Sequence, residues 1–60
     1  MKARKPEAFR VNDTVAAECA MLGDGTRIYR IRAGYLYAAD TTRLAAWLTK
    51  AAAWCMEGGQ

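Results

Sequence analysis

The stretch Met21-Leu22-Gly23-Asp24-Gly25-Thr26-Arg27-Ile28-Tyr29-Arg30-Ile31-Arg32 (residues 21–32) decides how this chain folds. Asp24-Gly25 supplies the positive φ that a tight hairpin needs. The run after it is rich in β-branched and aromatic residues, which favour a pleated, half-buried strand. With period 2, Tyr29, Ile31, Ala33, Tyr35 and Tyr37 share one face, and Ile28, Arg30, Arg32 and Leu36 share the other. Gly34 interrupts the run. It is either a bulge in one long strand or, with Ala33, a second turn that splits it.

A hairpin needs a strand on both sides of its turn. Upstream, Val11, Asp13, Val15, Ala17, Cys19 and Met21 alternate with Asn12, Thr14, Ala16, Glu18 and Ala20. The competing pattern is a short helix capped by Asn12 or Asp13 and closed by Gly23. The Asp-Gly turn tips the balance toward a strand. Downstream, helix formers run from Thr41 to Met56, Asp40 or Thr41 can cap the start by accepting a backbone N–H bond, and Gly58-Gly59 end the run. On a helical wheel, Leu44, Leu48, Ala51 and Cys55 form an apolar stripe with Trp47 and Trp54 on its flank. Arg43 and Lys50 each stand four residues before a Trp, where cation–π contact is open. The back, Thr42, Ala46, Thr49 and Ala53, is small and almost uncharged. The expected fold is therefore α+β: a small antiparallel β-sheet of two or three strands packed against one C-terminal α-helix. A single domain over 9–60 follows a flexible basic arm over 1–8, whose composition has too little apolar surface to repay ordering.

Sixty residues is near the lower limit for independent folding, and thirteen of them are Ala, which fills little volume. So thin a core predicts a partner or a second copy, a homodimer. With no His and only Cys19 and Cys55, the chain lacks the four N/S ligands of a zinc site, and neither a metal nor a cofactor is expected. The thiols read best as reduced, buried small hydrophobes, with a single disulfide as the alternative. No apolar signal stretch is visible, which points to the cytoplasm. No run approaches the roughly 20 apolar residues of a membrane span. The absence of His and Ser removes the usual proton-transfer group and hydroxyl nucleophile, so no catalytic residue is expected and the chain reads as a non-enzymatic binding protein.

The net charge of +3 is unevenly spread. Lys2, Arg4, Lys5 and Arg10 against Glu7 give +3 within residues 1–10, and the five cations and five carboxylates of residues 11–60 cancel. Candidate binding residues are Arg27, Arg30 and Arg32 with Tyr29, Tyr35 and Tyr37: arginines on a sheet can meet phosphates, and tyrosines can stack on bases. The alternative is a solvated arginine face over tyrosines packed beneath the helix. Trp47, Trp54 and Lys50 are candidates on the helix, with at least one Trp expected in the core.

The order strand (VAAECAML), Asp-Gly turn, strand (RIYRIR), Ala-Gly turn, strand (YLYAA) and helix (TTRLAAWLTKAAAWC) resembles the layout of ethylene-response-type plant DNA-binding domains and of the arm-binding domains of phage integrases. It is also similar to small accessory proteins of prophages. The first resemblance implies sheet arginines and aromatics in the major groove, with Arg27, Arg30 and Arg32 at the matching positions. The second implies a phage-encoded protein acting stoichiometrically, and small phage proteins include inhibitors of host defence such as anti-CRISPR proteins. The leading expectation is a partner that is a host protein or ribonucleoprotein complex; the alternative is a nucleic-acid-binding module using the arginine strand and basic arm.

Overall fold

The computed structural model describes residues 2–58 and shows three strands followed by one helix: β1 (Phe9–Asn12), β2 (Val15–Met21), β3 (Arg27–Arg32) and α1 (Ala38–Gly58). The strands form one antiparallel sheet in the order β1-β2-β3, so the α+β expectation holds, and Val15–Met21 is a strand as expected. The sheet is a meander whose central strand is the longest.

Two turns set its register. At the β2–β3 corner, Gly25 N–H donates to Leu22 O (2.9 Å), Leu22 N–H donates to Thr26 O (2.8 Å), and Gly25 adopts φ 91°. Only glycine takes that conformation without strain. The Asp24 carboxylate accepts from Thr26 N–H at 2.9 Å and holds the loop closed. At the β1–β2 corner, Asn12 Oδ1 accepts from Thr14 N–H, Thr14 Oγ1 and Val15 N–H at 2.8, 2.8 and 3.0 Å. Asn12-Asp13 therefore opens a hairpin, the use of Asn that competes with helix capping. A register shift between Arg10 and Asn12 follows, where the paired strands bulge.

The run Tyr35–Ala39 forms no strand; β3 stops at Arg32, and the third strand is Phe9–Asn12. The reason is pairing: Ala16 already pairs with Arg32 and β2 begins at Val15, so the ladder ends with Gly34 N–H bonding Thr14 O (3.1 Å) in the neighbouring turn and no strand is left beside Tyr35 and the residues after it. Tyr35 and Tyr37 are consequently 98% and 83% exposed and do not pack beneath the helix. The helix begins at Ala38, earlier than Thr41, because Tyr37 O accepts the first helical bond from Thr41 N–H (2.9 Å). Asp40 lies inside the first turn, where a carboxylate favours the positive end of the helix dipole, and pairs with Arg43.

The core lies between one sheet face and the helix. Ala17 and Cys19 of β2 meet Leu44, Trp47, Ala51 and Trp54 of α1, with Phe9, Leu36, Leu48 and Cys55 packed around them. Small side chains on β2 and at Ala51 leave space in this core, and the two indoles fill it. The buried stripe is thus rotated from the expected Leu44/Leu48/Ala51/Cys55 line toward the tryptophans, both of which are buried. The segment read as a flexible arm is laid along the helix: Trp47 Nε1–H donates to Glu7 O (2.6 Å), Lys5 lies 6.0 Å from the Trp54 ring, and Ala3 N–H donates to the Glu57 carboxylate. The tryptophans provide what its own composition lacks, an apolar and hydrogen-bonding surface to lie on.

Candidate binding surface

In an antiparallel sheet, directly paired residues point to the same side. The pairs Ala17·Ile31, Cys19·Tyr29 and Met21·Arg27, with Phe9 opposite Ala17, therefore face the helix. The pairs Ala16·Arg32, Glu18·Arg30 and Ala20·Ile28, with Arg10 opposite Ala16, face away. No described element covers that second face. A three-stranded sheet with one helix has one side dressed and one side bare.

The alternation separates the three arginines of β3. Arg27 is half-buried on the helix side: its guanidinium stacks 4.5 Å from the Trp54 ring and donates to Trp54 O at 2.9 Å. It closes a carbonyl in the last turns of the helix, where cations are favoured, and it lies against Gly58, where any side chain would displace it. This is a structural role. Arg30 and Arg32 are exposed on the bare face. Arg30 pairs with Glu18 across the strands at 2.6 Å, and Arg32 makes no ion pair among the described residues.

Arg10 joins them. It was grouped with the basic arm in the sequence, yet β1 places it opposite Ala16, with Arg32 opposite Ala16 on the other side. Two arginines on the outer strands thus flank a single alanine, their backbones roughly 10 Å apart from twice the inter-strand spacing. Together with Glu18, Arg30, Asn12 and Asp13 they rim a shallow basin of about 520 Å³. Arg10 also pairs with Asp13 at 2.9 Å; both side chains are largely exposed, so that pair restrains it weakly. The available signal for Arg10 was the Phe9/Val11 alternation ahead of Asn12-Asp13 read as a turn.

The remaining candidates divide. Tyr29 sits on the helix side, 44% exposed, and Tyr35 and Tyr37 project from the loop before α1. Trp47 and Trp54 are buried, so neither offers a ring to a partner. Arg43 lies 5.7 Å from the Phe9 ring, and Trp54 receives Arg27 and Lys5; the expected Arg43–Trp47 and Lys50–Trp54 contacts give way to these tertiary ones. Lys50 is exposed on the helix beside Lys5 and Arg4, on a second groove remote from the sheet basin.

Cys19 and Cys55 are both free thiols. Burial pushes the Cys19 thiol up, and the nearby Cys55 adds to this while Lys5 opposes it, so Cys19 is a poor nucleophile. Among the described residues no cluster of three or more His, Cys, Asp or Glu could hold a metal ion. Among the described residues no helix is long and apolar enough to cross a membrane. No family model matches the chain, and neither a curated protein nor a solved structure matches it significantly.

Proposed function

We propose that this chain is a non-enzymatic module that binds nucleic acid through the bare face of its sheet. The observation that carries the reading is the placement of Arg10 and Arg32 on either side of Ala16, with Arg30 one pair further along, all on the side no element covers. Arginine forks suit phosphate oxygens, and the small Ala16 leaves room for a backbone between them. The roughly 12 Å major groove of B-form DNA admits a two-stranded β-ribbon, which the β2–β3 hairpin of this sheet supplies. In that arrangement Arg10 and Arg32 contact phosphates, and Glu18 holds Arg30 upright over the sheet. The exposed Tyr35 and Tyr37 adjoin one end of the strand and add stacking surface. Arg27 has no part in it.

The test is fluorescence anisotropy of a labelled duplex titrated with the protein across a salt series. Affinity that falls steeply from low to physiological salt supports the reading, since phosphate contacts release counterions. No binding even at low salt overturns it.

A second reading, a stoichiometric inhibitor of a host protein complex in a reducing cytoplasm, draws on Met21, Leu22 and Met56, which are 56%, 48% and 73% exposed. Aliphatic side chains this exposed on so small a protein suit a protein partner. Met21→Lys and Leu22→Lys would abolish capture of such a partner while leaving the arginine face intact.

A further inference from the structure

We infer that β3 pairs edge to edge with β3 of a second copy, giving a two-fold dimer with one continuous six-stranded sheet. β3 is an outer strand, with β2 on one side and no described element on the other. The hairpin fixes which of its backbone groups are free. Leu22 N–H to Thr26 O makes that pair a hydrogen-bonded one. Counting along the ladder, Ala20·Ile28, Glu18·Arg30 and Ala16·Arg32 are hydrogen-bonded in turn, and Met21·Arg27, Cys19·Tyr29 and Ala17·Ile31 are not. The N–H and C=O groups of Arg27, Tyr29 and Ile31 therefore point outward along the open edge.

The side chains of this strand are as unfinished as its backbone. Ile28, Tyr29 and Ile31 are 38%, 44% and 41% exposed, three large apolar residues in a row of six. Tyr29 and Ile31 lie on the helix side, where α1 leaves them partly uncovered. Pairing with a second copy would finish both.

Register and charge select one arrangement. Residues on the same side must pair, so the two-fold axis passes beside a residue of β3, and only an axis at Tyr29 pairs the three outward-facing residues Arg27, Tyr29 and Ile31 entirely among themselves. An axis at Arg30 puts the two Arg30 guanidiniums directly opposite each other, which like-charge repulsion disfavours. An axis at Tyr29 opposes Tyr29 with Tyr29 and Arg27 with Ile31 on the helix side, and Ile28 with Arg30 on the bare side. No cation then faces a cation, and the outward groups of Arg27, Tyr29 and Ile31 all find partners. The arginines of β3 guard against unlimited stacking, yet this register seats Arg27 and Arg30 opposite isoleucines and Arg32 opposite Thr26. The contact is a single short ladder with a small apolar flank, so the dimer is concentration-dependent. It stands independently of the nucleic-acid reading, though it would place both arginine faces on one side of one sheet.

Sedimentation equilibrium on the full chain from micromolar to millimolar concentration, without nucleic acid, reads the association. A mass rising from 6.6 kDa toward twice that value is expected. Tyr29→Lys, which puts two ammonium groups at the axis, should hold the mass at the monomer value, with circular dichroism confirming the fold. A sample mixing labelled and unlabelled wild-type chains should show an isotope-filtered Hα–Hα contact between Ile28 of one copy and Arg30 of the other. A monomer throughout overturns the inference. So does a dimer that survives Tyr29→Lys, as one through the Ala46/Ala53 helix back would, or a filtered contact between Arg30 and Arg30.

Discussion

The two faces of the sheet carry similar residues and do opposite things with them. On the helix side, Arg27 is absorbed into the fold, its charge laid over Trp54 and its N–H donated to the helix end. On the bare side, Arg10 and Arg32 flank the small Ala16, Arg30 pairs with Glu18, and all three meet solvent. Net charge treats the arginines of β3 alike. Strand register separates them, because one residue's offset changes which face a side chain occupies. An arginine cluster in a sequence becomes a binding surface only after the alternation has been assigned.

The sharpest way to break this contrast is to attack the dressed face. Trp54→Ala removes the more deeply buried of the two indoles together with the seats of Arg27 and Lys5, and the expected loss is about 3–5 kcal/mol, enough to unfold so small a domain in urea well below the wild-type midpoint. A midpoint shift of under about 1 kcal/mol would mean that the indole does not fill the core. A finer comparison uses two arginines five residues apart. Arg27→Ala should cost about 1–2 kcal/mol through the lost stacking and hydrogen bond, and Arg32→Ala should change stability by under about 0.5 kcal/mol. Equal effects in denaturant would erase the distinction between the faces.

Smaller still is the tie between arm and helix. Trp47→Phe keeps the ring buried but removes the donor to Glu7 O, an expected loss of about 1 kcal/mol. Faster proteolysis within residues 2–8 should accompany it, with the sheet unaffected. The mildest handles are the two shifted titrations. Hydrogen bonds from Thr26 hold the Asp24 carboxyl below its ordinary 3.8, so the turn's contribution is fully present above that value and fades as pH falls through the lower folded one. Cys19 behaves oppositely: its raised value means stability is fully present below 9.0 and declines as pH rises toward the folded one. Chemical shifts of Thr26 at acid pH, and urea midpoints between pH 8 and 11, read the two windows.

Much of the architecture was legible in the sequence because local signals agreed. The Asp24-Gly25 turn, the alternation on both sides of it and the long helix-forming run all pointed to one layout. What escaped depended on distant pairing. Phe9–Asn12 is four residues long and begins within the charged N-terminal stretch, so beyond the brief Phe9/Val11 alternation its strand character, and with it Arg10, shows through its partnership with β2. Tyr35 and Tyr37 continue the period of β3, but β2 has no residues left to pair with them. The indole-facing rotation of the helix follows from Ala17 and Cys19 being small enough to admit both rings, a complementarity between elements that a helical wheel does not contain.

The salt dependence of duplex binding by the wild type and by the Arg10→Ala/Arg30→Ala/Arg32→Ala variant tests the role of the bare face most directly. For the wild type, a plot of log affinity against log salt should fall with a slope of about −2 to −3, as expected for two or three phosphate contacts. The variant should keep the wild-type fold, bind more weakly and lose most of that slope. A folded variant with an unchanged slope would contradict the claim that the bare face of the sheet is where this protein meets nucleic acid.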